Sequence, residues 1–242
     1  MNFNSNKSCA YPPPLAVDLP SFNDVTRFTT MKQPDLPIDV LLVTVKHCEF
    51  LACYNELKYP FGYHFDGLGC VYFADFGSSQ QERVKVALVL KRSEGSTDRI
   101  SVWICVKKAA SILHPKAVIF VGTCSGLNPD ITKLGDVIVS TNLTTYASKV
   151  KASDQEQWVG IRGFAGRQYF RLTMNCGYRW KRPPLKSPED HYISSVHCKD
   201  FLSGPEQIRT ECWRKELVNR HPSVGGVDVE GEGECMSLKH SY

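Results

Sequence analysis

Ile119-Phe-Val-Gly-Thr-Cys-Ser-Gly-Leu-Asn-Pro-Asp-Ile-Thr-Lys-Leu-Gly-Asp-Val-Ile-Val-Ser140 is the stretch from which the fold of this chain is read. The apolar run Ala117 to Val121 leads into it. Without polar alternation, such a run predicts a strand buried on both faces of a sheet. It breaks into Gly122-Thr-Cys-Ser-Gly126, a turn of small and hydroxylated residues at a strand's C-terminal end. There a polyhydroxy or anionic ligand can approach the backbone closely. Pro129-Asp130 predicts a turn, and Leu134-Gly135-Asp136 leads into a second buried strand, Val137 to Ser140.

Working outward, 242 residues suffice for one sizeable domain with a substantial core. A composition of 42% hydrophobic and 22% charged residues is that of a globular protein. The net charge of +4 is modest and scattered, so nucleic acid is not expected as a partner. Arg179-Trp-Lys-Arg182 is the one local basic cluster, and a solvated loop accounts for it. Ten cysteines occur singly, without C-x-x-C spacing, several in apolar segments (Cys48, Cys70, Cys105, Cys124). That pattern predicts buried, reduced thiols in a cytoplasmic protein. No run is long enough for a membrane span, and no signal-peptide core is present. The glycosylation-like triplet Asn142-Leu-Thr144 follows a core strand and carries little meaning there.

Residues 1–37, with Pro12-Pro-Pro14, Pro20, Pro34 and Pro37, read as a flexible leader or linker, and residues 38–242 as the domain. A strand is expected over Ile38 to Val45, a short helix over Glu49 to Leu57, and hairpin strands over Gly69 to Phe76 and Val84 to Leu90. Helical periodicity covers Ile100 to Leu113 and stops at His114-Pro115 before the first quoted strand. Between Tyr146 and Asp190 the pattern degrades, leaving one strand, Tyr169 to Thr173. Beyond it a strand (Tyr192 to Val196), a helix (Gly204 to Val218) and a strand (Val224 to Val229) are expected. The alternation predicts an α/β fold with a mixed central β-sheet flanked by helices.

The quoted stretch resembles the signature of the nucleoside phosphorylase and nucleosidase family, in which G-(S/T)-x-(A/S/G)-G-L precedes (L/V)-G-D-(I/V)-(I/V)-V-S. The resemblance spans roughly Ile38 to Met236 and implies that family's fold. It also implies a purine nucleoside as partner, a homo-oligomer, and neither metal nor cofactor, with phosphate as co-substrate only in a phosphorylase. Val227-Asp-Val-Glu-Gly231 resembles the family's E-M-E motif. That likeness puts Glu230 on the ribose hydroxyls and Val229 where the usual Met packs. An acidic, solvent-exposed turn is the plainer alternative, since Glu232 and Glu234 follow. Ser194 to Leu202 resembles the base-pocket segment S-G-D-x-F, which implies Phe201 stacking on the purine and the Leu202 backbone reading its edge. His197-Cys198-Lys199 departs from that motif, and a purely structural Phe201 is the alternative.

The nucleophile is the sharpest discriminator. Phosphorylases carry an Arg three positions before the signature hydroxyl, and here Phe120 stands there. Lys46-His-Cys-Glu49 instead resembles the nucleosidases, implying Glu49 as general base and Thr123 as the hydroxyl that positions water beside Gly122. Glu49 as the first-turn acid of a helix is the alternative, and Lys46 with His47 keeps an anion, hence phosphorolysis, open. The family's leaving-group Asp lies about two dozen residues beyond the ribose Glu, whereas Tyr242 is twelve beyond Glu230. Against that family the domain lacks the last strand and helix, so the expectation is either a truncated form or a domain that binds purine nucleosides with impaired turnover, leaning to hydrolysis. The alternatives are a phosphorylase or an inactive nucleoside-sensing module of a multidomain protein.

Overall fold

A computed structural model describes residues 17–25, 33–76, 83–91, 99–146, 149–152, 155–158, 162–164, 194–204, 208 and 210–228, with isolated positions between 169 and 184. Its strands are β1 (Val40–Thr44), β2 (Lys58–Phe65), β3 (Gly69–Phe76), β4 (Val84–Leu90), β5 (Ala117–Phe120), β6 (Ser125–Gly126) and β7 (Val137–Thr145). Then follow β8 (Lys149–Ala152), β9 (Gln155–Trp158), β10 (Arg162–Phe164), β11 (Val196–Ser203) and β12 (Val224–Asp228). The longer helices are α1 (His47–Asn55), α2 (Arg99–Leu113) and α3 (Glu211–Arg220).

Two five-stranded mixed sheets form, in the orders β2-β3-β4-β1-β5 and β10-β7-β11-β12-β6, and β8 pairs with β9 separately. In the first sheet, β1 runs parallel to both β4 and β5. Period-two alternation sorts its side chains onto two faces. Leu41, Val43, Ala87 and Val89 meet Val106, Ala109 and Leu113 of α2. Leu42, Val86 and Leu88 meet Phe50 and Tyr54 of α1. The central sheet flanked by helices, expected from the alternation of elements, is thus present as an α/β/α sandwich. In the second sheet β11 is parallel to β7 and β12, over a core of Leu127, Tyr146, Leu202, Leu217, Val224 and Val227. Residues 121–124 join β5 of the first sheet directly to β6 of the second. The small-residue turn is therefore the junction between the sheets.

Several expected boundaries move. Ala117 to Val121 is not buried on both faces, because Val118 and Phe120 pack on the core while Ile119 is 47% exposed. The strand beginning at Val137 runs on to Thr145, with Val137 itself exposed. Of the strand expected over Tyr192 to Val196, Tyr192 and Ile193 lie outside the described residues, Ser194 and Ser195 are not in a strand, and β11 runs from Val196 to Ser203. Of the helix expected over Gly204 to Val218, residues 205–207 and 209 lie outside the described residues, and α3 runs from Glu211, where the Thr210 hydroxyl accepts from Trp213 N–H as its N-cap. Strand β2, with Tyr59 and Pro60 in it, was not expected. The strand expected over Tyr169 to Thr173 falls on residues outside the described set, except Tyr169, which is not in a strand. Within the leader, Phe22–Asp24 forms a 3-10 turn closed by a capping box from Ser21, and Phe22 stacks on His47 at 4.9 Å. The thiols are less buried than expected, since Cys48 and Cys124 are exposed. Among the described residues no helix is long and apolar enough to cross a membrane.

Leu202 is fully buried in the second core. Leu202→Ala is expected to cost about 2–5 kcal/mol in chemical denaturation, as a large core residue truncated with incomplete collapse. A loss under about 1 kcal/mol would show that the core beneath β11 is loosely packed.

Candidate functional site

Parallel β1 and β5 end side by side, so the chain leaving each strand enters the same crevice. From β1 comes Lys46, the N-cap of α1, and one turn on comes Glu49. From β5 come Gly122 and Thr123. The Glu49 side chain is only 3% exposed, and every partner it has fits an ionised carboxylate. Oε2 accepts from the backbone N–H of Val45 (3.2 Å) and Lys46 (2.9 Å). Oε1 accepts from the backbone N–H of Thr123 (2.8 Å) and from its hydroxyl (3.0 Å). The Lys46 ammonium lies 3.4 Å from Oε1 and donates to Thr123 Oγ1 at 3.0 Å. Gly122 lies directly over the carboxylate, a Cβ there falling 3.5 Å from Oε1.

Burial acts to raise the Glu49 pKa. The N–H groups of Lys46 and Thr123, the Thr123 hydroxyl and the Lys46 charge outweigh it and hold the carboxyl below its ordinary 4.5. Glu49 is thus an anion bonded on both oxygens, joining the two strand ends. Thr123 is exposed toward the crevice.

The second sheet brings Phe201 to the same turn. A Cβ at Gly226 would lie 2.9 Å from Phe201 Cε2, 2.8 Å from Ile138 Cδ1 and 3.2 Å from Cys124 Sγ. Phe201 and Cys124 thus both border the space that the missing side chain at Gly226 leaves open. Although Cys124 is exposed as a residue, the packing about its sulfur, with the Asp228 charge adding and Lys46 opposing, pushes the thiol up to about 11, which favours the protonated form at neutral pH. Leu202 points away from Phe201 into the core, and its backbone lies in register between Thr144 and Val227. Val229 and Glu230 follow β12 directly and lie outside the described residues.

Two carboxylates that sequence reading left without a role hold the second sheet in place. Asp136, at the end of a turn that needs Gly135 at φ +86°, accepts from Lys133 N–H, Ser195 N–H and His197 Nε2, the first two at 2.8 Å and the last at 2.9 Å. The residue standing where the base-pocket motif departs is therefore a partner of the Gly-Asp motif itself. Asp200 sits at a register shift of β11, which aims its carboxylate at Thr141, Asn142 and Ser223. Burial opposes ionisation of both, and hydrogen bonds more than compensate, leaving both pKa values lowered. Among the described residues no cluster of His, Cys, Asp and Glu could hold a metal ion.

No established sequence family matches the chain, and neither does any curated protein. Solved structures do match in fold. The 5'-methylthioadenosine/S-adenosylhomocysteine nucleosidase of Neisseria meningitidis, in complex with methylthio-immucillin-A, superposes with a TM-score of 0.60 at 13% identity. The match covers 83% of this chain and 79% of that one. The corresponding Streptococcus pneumoniae nucleosidase with a transition-state inhibitor gives 0.60 at 14%, over 84% and 80%. A futalosine hydrolase mutant of Helicobacter pylori gives 0.55 at 12%, over 85% and 86%. The chain has the nucleoside phosphorylase and nucleosidase fold.

A carboxylate whose folded pKa is lowered adds stability above its unfolded pKa and loses it as the pH falls through the folded value. Glu49→Gln places an amide against N–H donors and is expected to cost about 1.5–3 kcal/mol near neutral pH. That gap from the unaltered chain should narrow as the pH drops below the carboxylate range. Denaturant melts across a pH series test this, and a gap independent of pH would mean that Glu49 is not the ionised link.

Proposed function

We propose that the chain binds a purine nucleoside across the Gly122–Gly126 turn and hydrolyses its N-glycosidic bond. The observation that carries this reading is the Glu49–Thr123 pair at the ends of β1 and β5, with Phe201 reaching the same turn from the other sheet. Thr123 holds the attacking water, and Gly122 leaves the sugar room to approach. Glu49 receives the water's proton by way of the Thr123 hydroxyl. The C1′–N bond breaks with its electron pair going to the purine, water oxygen bonds to C1′, and the purine takes a proton from solvent. A carboxylate with a lowered pKa is a weak base, which suits attack on a sugar already close to an oxocarbenium ion.

Phe201 stacks on the base, and the Leu202 backbone beside it borders the purine edge. Glu230 accepts the ribose hydroxyls, with Val229 packing against the sugar. Hydrolysis is preferred over phosphorolysis because Phe120, three positions before Thr123, is packed on the core and offers no cation. The nucleosidases sharing this fold were solved with methylthio-immucillin-A and related inhibitors, which suits a nucleoside as ligand here.

The deciding experiment measures free base released from adenosine and inosine, with and without phosphate. Release independent of phosphate is the expected result. Release that requires phosphate makes the chain a phosphorylase, and nucleoside binding without release makes it a sensing module. Glu230→Ala should weaken nucleoside binding about ten- to a hundredfold, the loss of a charge-assisted pair. Phe201→Ala should weaken adenosine more than a ribose analogue that lacks the base. Calorimetry showing unchanged affinity for Glu230→Ala would remove that residue from the site.

A further inference from the structure

The hydroxyl of Thr123 has its proton direction fixed by its neighbours. The Glu49 carboxylate can only accept, so across 3.0 Å the proton between the two oxygens belongs to Thr123. The Lys46 ammonium can only donate, so at 3.0 Å it occupies one of the two lone pairs on Thr123 Oγ1. One lone pair then remains, on a residue exposed to the crevice. Glu49 also offsets the Lys46 charge across 3.4 Å, which weakens the pull of that lysine on an anion.

We propose that Lys46 is a positioning residue: by holding one lone pair of the Thr123 hydroxyl, whose proton Glu49 takes, it leaves a single acceptor free and so fixes the direction from which one hydrogen-bond donor, the attacking water, is held. This rests on the hydrolytic reading and assigns the orientation of its nucleophile to a residue outside the signature motif. A water donates to Thr123 Oγ1 in one direction and is held for attack. Without Lys46 the hydroxyl offers two lone pairs, and the water loses its single orientation.

The test uses the full chain and inorganic phosphate as the probe. Its unfolding midpoint is measured against phosphate and against chloride at equal ionic strength, and no phosphate-specific rise is expected. Base release is then compared for the unaltered chain, Lys46→Met and Lys46→Arg. Lys46→Met should lower kcat about tenfold or more while KM moves less than about threefold, since water alignment and not nucleoside binding is lost. Lys46→Arg, which still donates to Thr123, should restore most of the rate.

A phosphate-specific rise in midpoint that disappears in Lys46→Met would make Lys46 an anion ligand and overturn the proposal. So would equal kcat for the methionine and lysine forms. If the unaltered chain releases no base, the hydrolytic reading falls, while the phosphate titration still judges the Lys46 assignment. Should Lys46→Met fail to fold, the titration of the unaltered chain and the Lys46→Arg kinetics decide.

Discussion

One buried carboxylate fixes the relation between the two strands that make the crevice. Glu49 binds the backbone at Val45 and Lys46 with one oxygen and Thr123 with the other. An ionised group this deeply buried is tolerable only when its lone pairs are met by donors. The constraint therefore runs both ways. The turn after β5 must present Thr123 to Glu49, and the helix after β1 must begin where Glu49 can reach back to its own N-cap. Both strand ends are positioned by this requirement.

The same device recurs in the second sheet, where Asp136 and Asp200 join turn and strand by backbone and side-chain donors. With these carboxylates committed to holding the backbone, the hydroxyl of Thr123 is left exposed in the turn. Its chemistry is set by what surrounds it more than by its own acidity.

Much of this was legible in the sequence, for identifiable reasons. Strand β1, helix α2 and the β3–β4 hairpin follow from apolar periodicity, which packing on both faces of a sheet enforces directly. The pairing of Glu49 with Thr123 was reachable through the signature, since both stand where parallel strands end. Strand β2 was missed because Tyr59 and Pro60 interrupt any alternation, and an edge strand tolerates such residues. The start of β11 was misplaced because Val196 to Ser203 holds His197, Lys199 and Asp200, whose placement depends on partners distant in sequence. In the sequence Lys46 read only, with His47, as a cation that keeps an anion open. A lysine at a helix start reads as solvated surface, and only the position of Thr123 gives it a role.

The separation of Glu49 from Thr123 along the chain is 74 residues, and this bears on how the molecule comes into being. Strands β1 to β4 and helix α1 lie N-terminal to the turn and supply four of the five strands of the first sheet. On an emerging chain they can pair while Glu49 still faces water through the gap that β5 will occupy. Desolvating the carboxylate before Thr123 arrives would strand a charge without its donors. Closing so long a loop is entropically slow. The Glu49–Thr123 link therefore waits for β5 and the turn after it, and a chain halted before β5 would hold four strands of the first sheet with the Glu49 carboxylate short of half its donors.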